Sequence, residues 1–123
     1  METKKTKILF IMEMTMVRAI GEHLKLVGYD VVIDSITKKL QDIKSVEGID
    51  IVIFDPFYMK DNLGTIETFK RKHLSIGLLA LNTLLLWEGI GEKIQAMKGA
   101  GIIIDCLEVP PTLEDIEKAL AAA

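Results

Sequence analysis

Hydrophobic and polar residues alternate along the chain in blocks that predict a repeated strand–helix pattern. Five short, nearly continuous apolar runs have the length and character of strands that are buried on both faces. These runs cover residues 7–13, 29–33, 49–54 and 76–81, with a fifth starting at Ile102. Glycine or proline follows several of the intervening segments, as expected where helices end. The pattern therefore predicts five strands, each followed by a helix.

Apolar residues recur at helical spacing between these runs, which predicts five helices. The positions are Val17, Ile20, Leu24 and Val27; Ile36, Leu40, Ile43 and Val46; Ile66 and Phe69; Ile90, Ile94 and Met97; and Leu113, Ile116 and Leu120. The third helix is basic, with Lys70, Arg71 and Lys72, which is typical of a solvated helix face. Five strand–helix units predict an α/β fold with a parallel sheet between two helical layers. We expect residues 1–123 to form a single domain.

Composition narrows the classes of function. The 123 residues include 15 Lys+Arg and 18 Asp+Glu, a formal net charge of -3. This balance offers no basic surplus for nucleic acid, so no nucleic-acid partner is expected. The single cysteine, Cys106, excludes an internal disulfide and is typical of a reducing, cytoplasmic setting. The longest apolar stretch, Ile76 to Trp87, is far shorter than the roughly 20 residues that span a membrane. We therefore expect no membrane partner.

Two acids follow strands that are expected to be neighbours. In open parallel sheets, ligands bind beyond the carboxyl ends of the strands. Glu13 follows the first strand and Asp55 follows the third, so the two carboxylates are expected to face each other. Asp55 can also be an exposed strand-end acid before the turn-forming Pro56, and Glu13 a solvated acid favoured by a helix dipole. No glycine-rich loop follows the first strand, which argues against a nucleotide-binding domain.

Two stretches of the sequence resemble the receiver domains of response regulators, the CheY-like superfamily. KILFIMEMTMVRAIGEHLKLVGYDVV is similar to the receiver opening, and IDIVIFD to the third strand with its phosphoacceptor aspartate. The separation of Glu13 from Asp55 is also that of receivers, and the resemblance covers nearly the whole chain. It implies a flavodoxin-like (βα)5 three-layer sandwich with strand order 2-1-3-4-5. It also implies that Asp55 is the phosphoacceptor equivalent, and that Glu13, Asp55 and the Phe57 carbonyl are the metal-ligand equivalents.

The sequence departs from the receiver pattern at the remaining functional positions. The family's other acid falls on Met12, its Thr or Ser on Ala80, its aromatic residue near Ile103, and its lysine between Cys106 and Val109. A thioether does not replace a carboxylate for Mg²⁺. Removing one electrostatic group from a reacting centre costs roughly 10²–10³ in rate. We therefore expect a degenerate pseudo-receiver, with Mg²⁺ weakly bound or absent and with no enzyme activity of its own.

Four consecutive large apolar residues lie where a connecting segment is expected, namely Leu84, Leu85, Leu86 and Trp87. They can form a docking surface anchored by Trp87, or the buried start of the fourth helix. The leading hypothesis is a cytoplasmic signalling module that binds a protein partner or a second copy of itself. The first alternative is an atypical response regulator that accepts a phosphoryl group on Asp55 from a histidine kinase. The lower alternative is a flavodoxin-like ligand-binding subunit of an enzyme.

Overall fold

The computed structural model describes residues 6–11, 15–34, 36–59, 61–82, 90–108 and 112–121. The strands are β1 (Lys7–Phe10), β2 (Asp30–Ile33), β3 (Ile51–Phe54), β4 (Gly77–Asn82) and β5 (Asp105–Glu108). The helices in these ranges are α1 (Thr15–Leu26), α2 (Gly64–Lys72), α3 (Ile90–Gly99) and α4 (Leu113–Ala121). All strand pairs are parallel, in the order β2-β1-β3-β4-β5, which confirms the predicted sheet. None of these helices is long and apolar enough to cross a membrane.

Alternation along the strands gives the sheet two apolar faces, each covered by a separate layer. On one face, Phe10 and Ile53 pack with residues of α1 and α4 such as Leu24 and Ile116. On the other, core residues including Phe54 pack with residues of α2 and α3. All four residues of the central strand β3 are buried. Each such apolar side chain contributes about 1.5–3 kcal/mol on burial, so β3 is firmly anchored in the core.

The predicted second helix is wrong. Within residues 36–50 the structure has no α-helix, only a 3₁₀ turn at Leu40–Asp42. Leu40 is 1% exposed and enters the core, whereas Ile36 is 90% exposed, so the two do not share a buried helical face. At the end of β2, Oδ1 of Asp34 accepts the N–H groups of Ile36 (2.9 Å) and Thr37 (3.0 Å). These bonds close a turn directly after the strand.

The fifth strand starts later than predicted, at Asp105 rather than Ile102. Ile103 is buried in the core below the strand, and the N–H of Ile104 donates to the carbonyl oxygen of Leu78 at 2.7 Å. A Cβ atom at Gly77 would lie 2.8 Å from Cδ1 of Ile104, closer than ordinary contact allows. The glycine that weakens β4 as a strand former therefore makes room for Ile104.

The basic stretch of α2 is only partly a solvated face. The Nζ atom of Lys70 donates to the carbonyl oxygens of Leu74 (3.0 Å) and Ile76 (2.7 Å). The N–H of His73 donates to the carbonyl of Phe69 at 3.0 Å, and the two rings pack with centroids 4.6 Å apart. Lys70 and His73 therefore fasten the end of α2 to the turn that leads into β4.

Candidate functional site

The carboxyl edge of the sheet is the candidate site, and the described acids Asp34, Asp55 and Glu108 lie at strand ends there. Asp34 follows β2 and Asp55 follows β3. The N–H of Ile11 donates to the carbonyl of Ile53 at 3.0 Å, so the chain stays beside β3 just past the end of β1. The continuation of that segment, which includes Met12 and Glu13, lies outside the described residues. The predicted approach of Glu13 to Asp55 therefore stays a prediction.

Asp55 is fully buried, with 0% of its surface exposed. Its Oδ1 atom accepts the backbone N–H of Phe57 at 2.9 Å, and its main-chain carbonyl accepts the N–H of Tyr58 at 3.3 Å. These bonds close the start of the 3₁₀ turn Pro56–Met59. Aspartate is well suited to such a turn because its short carboxylate reaches the N–H two residues ahead. Pro56 suits the position that follows because it has no N–H to satisfy. The carboxylate thus has a structural role in holding the turn.

Phe57 was expected to present its carbonyl oxygen to a metal ion. The structure places Phe57 two residues after Asp55 in the 3₁₀ turn, with its N–H donating to the Asp55 carboxylate. Its ring lies edge-to-face with that of Tyr58, at 5.7 Å between centroids and an interplanar angle of 81°. Aromatic pairs favour this geometry, so the two rings stiffen the loop beside Asp55.

The position expected for the family's hydroxyl residue lies inside the core. Ala80 is buried and pairs with Phe54, one residue before Asp55. The strand β4 continues past it, and its last residue is Asn82. Asn82 pairs with Glu108, the last residue of β5. The residue at the carboxyl end of β4 is therefore an amide-bearing one, two positions beyond Ala80.

The positions expected for the aromatic and lysine residues are also apolar or partly buried. Ile103 precedes β5 and is buried. Cys106 lies within β5, half-buried and paired with Ala80. Asp105, at the start of β5, forms an ion pair with Lys98 at 3.0 Å. The predicted surface Leu84–Trp87 lies outside the described residues.

Sequence reasoning did not single out Asp34. Hydrogen bonds from Thr37, then the Ile36 N–H and the charge of Lys38, lower the pKa of the Asp34 carboxyl, although partial burial opposes them. The available signal was the residue type, because an aspartate after a strand can bond the backbone N–H two residues ahead. The geometry gives Asp34 the role of a turn former at the end of β2.

Asp55 and Phe57 are the described members of the expected metal-ligand set, since Glu13 lies outside the described residues. No group of three His, Cys, Asp or Glu side chains comes together within the described ranges. Mg²⁺ requires near-octahedral oxygen coordination and is usually held by one or two carboxylates together with water. Asp55 offers one carboxylate, and one of its oxygens already holds the N–H of Phe57.

Comparison with solved structures identifies the fold. A response regulator receiver domain protein from Clostridium thermocellum superposes with a TM-score of 0.68 at 21% identity, covering 94% of this chain and 91% of that one. A response regulator CheY-like protein from Mesorhizobium loti gives 0.69 at 19% identity, covering 96% and 98%. The fold is that of a receiver domain.

A longer structure extends the comparison. The E. coli RcsC C-terminus, which contains a linker region and a phosphoreceiver domain, superposes with a TM-score of 0.64 at 18% identity. The match covers 98% of this chain and 46% of that one. No protein-family model matches the sequence, and a search of curated proteins finds no match either. The likeness to solved structures therefore lies in the receiver fold.

Proposed function

We propose that this chain is a regulatory receiver-like domain of two-component signalling that acts mainly by binding protein partners in the cytoplasm. The observation that carries the proposal is the state of Asp55 on a receiver fold. Its carboxylate is buried, and its Oδ1 holds the N–H of Phe57. A phosphoacceptor needs an accessible oxygen and positive groups around the incoming phosphoryl oxygens. A buried turn-forming carboxylate meets the first requirement poorly.

The charges near the fifth strand support the same proposal. The strand β5 reads Asp-Cys-Leu-Glu and has no lysine. Lys98 is held at 3.0 Å by Asp105. A receiver lysine has to reach the phosphoryl group from the end of this strand, and the residue after Glu108 is Val109. The proposed partner contact is the apolar segment Leu84–Trp87, which offers an aromatic anchor of the kind that dominates protein interfaces.

The test uses beryllofluoride with Mg²⁺, which mimics an acyl phosphate, and records amide NMR shifts of the whole chain. We expect no saturable shifts around Asp55. Asp55→Asn is the matched variant, because its amide oxygen can still accept the Phe57 N–H. Asp34→Asn is the control for nonspecific binding of beryllofluoride and Mg²⁺ to an acid at a strand end. Saturable shifts at low-millimolar Mg²⁺ that vanish in Asp55→Asn and persist in Asp34→Asn would overturn the proposal.

A second candidate function is an atypical phosphoacceptor. The position of Asp55 favours it, since this aspartate follows the central strand β3 and is flanked by β1 and β4 on the two sides. Intact mass spectrometry after incubation with acetyl phosphate or a histidine kinase tests this function. A gain of one phosphate that Asp55→Asn abolishes would establish it.

A further inference from the structure

The strand β2 lies at the edge of the sheet, with β1 as its one neighbour in the described strand order. The N–H groups of Asp30 and Asp34 donate towards β1, to Thr6 (3.0 Å) and Phe10 (2.7 Å) respectively. Backbone groups of alternate residues point to opposite sides of a strand. Those of Val31 and Ile33 therefore face away from the sheet, and an extended chain could bond to them.

The apolar face beside this edge is poorly covered, because a 3₁₀ turn stands where a helix was predicted. Val32 is 41% exposed and Ile36, in the segment that follows, is 90% exposed. A cavity of about 560 Å³ lies beside β2, similar in volume to one of about 580 Å³ between α2 and α3. The cavity beside β2 is lined by five apolar residues, including Leu9, Val32 and Ile43, and by four polar ones, including Asp34 and Lys44. Open backbone groups and a partly apolar groove thus occur together at β2.

Charge indicates what can occupy this edge. The strand reads Asp-Val-Val-Ile and is followed by Asp34, so an acid stands at each end of three apolar residues. Antiparallel pairing with β2 of a second copy, centred on Val32, would place Asp30 opposite Asp34 twice. Like charges directly opposite each other destabilise a strand pair. A segment with a basic residue at each end would instead meet an opposite charge.

We propose that β2 accepts an extended, apolar segment of a partner protein with basic residues at its ends, which adds a sixth strand to the sheet. Main-chain bonds to Val31 and Ile33 hold the segment, and one of its side chains rests on Val32. Asp30 carries most of the charge preference, because Asp34 already binds two backbone N–H groups and lies near Lys38. This interaction does not depend on the state of Asp55.

The test titrates the full chain with a short peptide of alternating valine and threonine that has a lysine at each end. We expect amide shifts and slowed hydrogen exchange at Val31 and Ile33. Val32→Lys should abolish binding, whereas Val27→Lys should retain it, because Val27 is a similarly exposed apolar residue (50%) outside the groove. The charge on Asp30 is tested separately, since its substitution need not disturb the core.

A peptide with glutamates in place of the lysines should bind the original chain about two- to fivefold more weakly, as one exposed ion pair implies. Asp30→Lys should reverse that order. Shifts that are absent at millimolar peptide, that lie outside β2, or that survive Val32→Lys would overturn the proposal. Concentration-dependent dimerisation that Val32→Lys abolishes would also overturn it, by showing that a second copy occupies the edge.

Discussion

Replacing Leu40 with alanine tests the unexpected 3₁₀ turn between β2 and β3. Leu40 is 1% exposed and packs in the core cluster with residues such as Phe69. Truncating a buried leucine costs about 2–5 kcal/mol, and the lower half of that range applies where neighbours can collapse into the space. We place the cost at about 2–3 kcal/mol, since Leu40 enters the core from a surface turn. That is a large share of the roughly 5–15 kcal/mol that stabilises a typical domain.

Urea unfolding followed by circular dichroism measures the difference in the free energy of unfolding. Ile36→Ala is the matched control, because Ile36 is 90% exposed and its loss should change stability by about 0.5 kcal/mol or less. A helix with both residues on its buried face would make the two variants lose comparable stability. A cost above about 1 kcal/mol for Ile36→Ala would therefore refute the arrangement described here.

The remaining predictions concern the turns and the buried acid. Asp55→Ala should destabilise the domain by about 1–3 kcal/mol, because the N–H of Phe57 would lose its acceptor. Asp55→Asn should cost clearly less in the same unfolding assay, because it keeps an acceptor oxygen. Gly101→Ala should cost about 1–2 kcal/mol because Gly101 has φ 77°, whereas Gly99→Ala, in the last position of α3 with open space around it, should be neutral or stabilising by thermal melting. Asp34 has a lowered pKa, so its carboxylate stabilises the fold above the unfolded pKa, and this contribution is lost as pH falls through the folded value. The stability gap between the original chain and Asp34→Asn should therefore shrink on acidification, and a gap that stays constant would contradict this.

The sheet could be predicted from sequence because its inner strands β1, β3 and β4 are buried on both faces. A continuous apolar run such as Ile51–Phe54 has few other interpretations at that length. The 3₁₀ turn that replaces the predicted second helix could not be foreseen, because Ile36, Leu40 and Ile43 have helical spacing. Periodicity does not report that Ile36 stays exposed while Leu40 enters the core from a 3₁₀ turn.

The candidate site was predictable in part. Asp55 lies directly after β3, as its position after an apolar run indicates. Strand ends were harder to place, since the apolar run stops at Leu81 while β4 continues to the polar Asn82. The start of β5 was misjudged because the apolar run begins at Ile102, whereas Ile102 and Ile103 pack into the core before the strand starts at Asp105. The bond from Phe57 to Asp55 is a matter of local geometry that composition and spacing do not encode.

The two bonds from Lys70 have a consequence for how the domain opens. They attach the last turn of α2 to the main chain at residues 74 and 76, immediately before β4. Separating α2 from β4 would therefore leave the ammonium group of Lys70 and two carbonyl oxygens without hydrogen-bond partners at the same time. Such shared losses make neighbouring segments exchange their amide protons as one cooperative unit. Acetylation of this lysine would remove the charge and weaken the tether, so that α2 could fray independently of the sheet's best-protected strands.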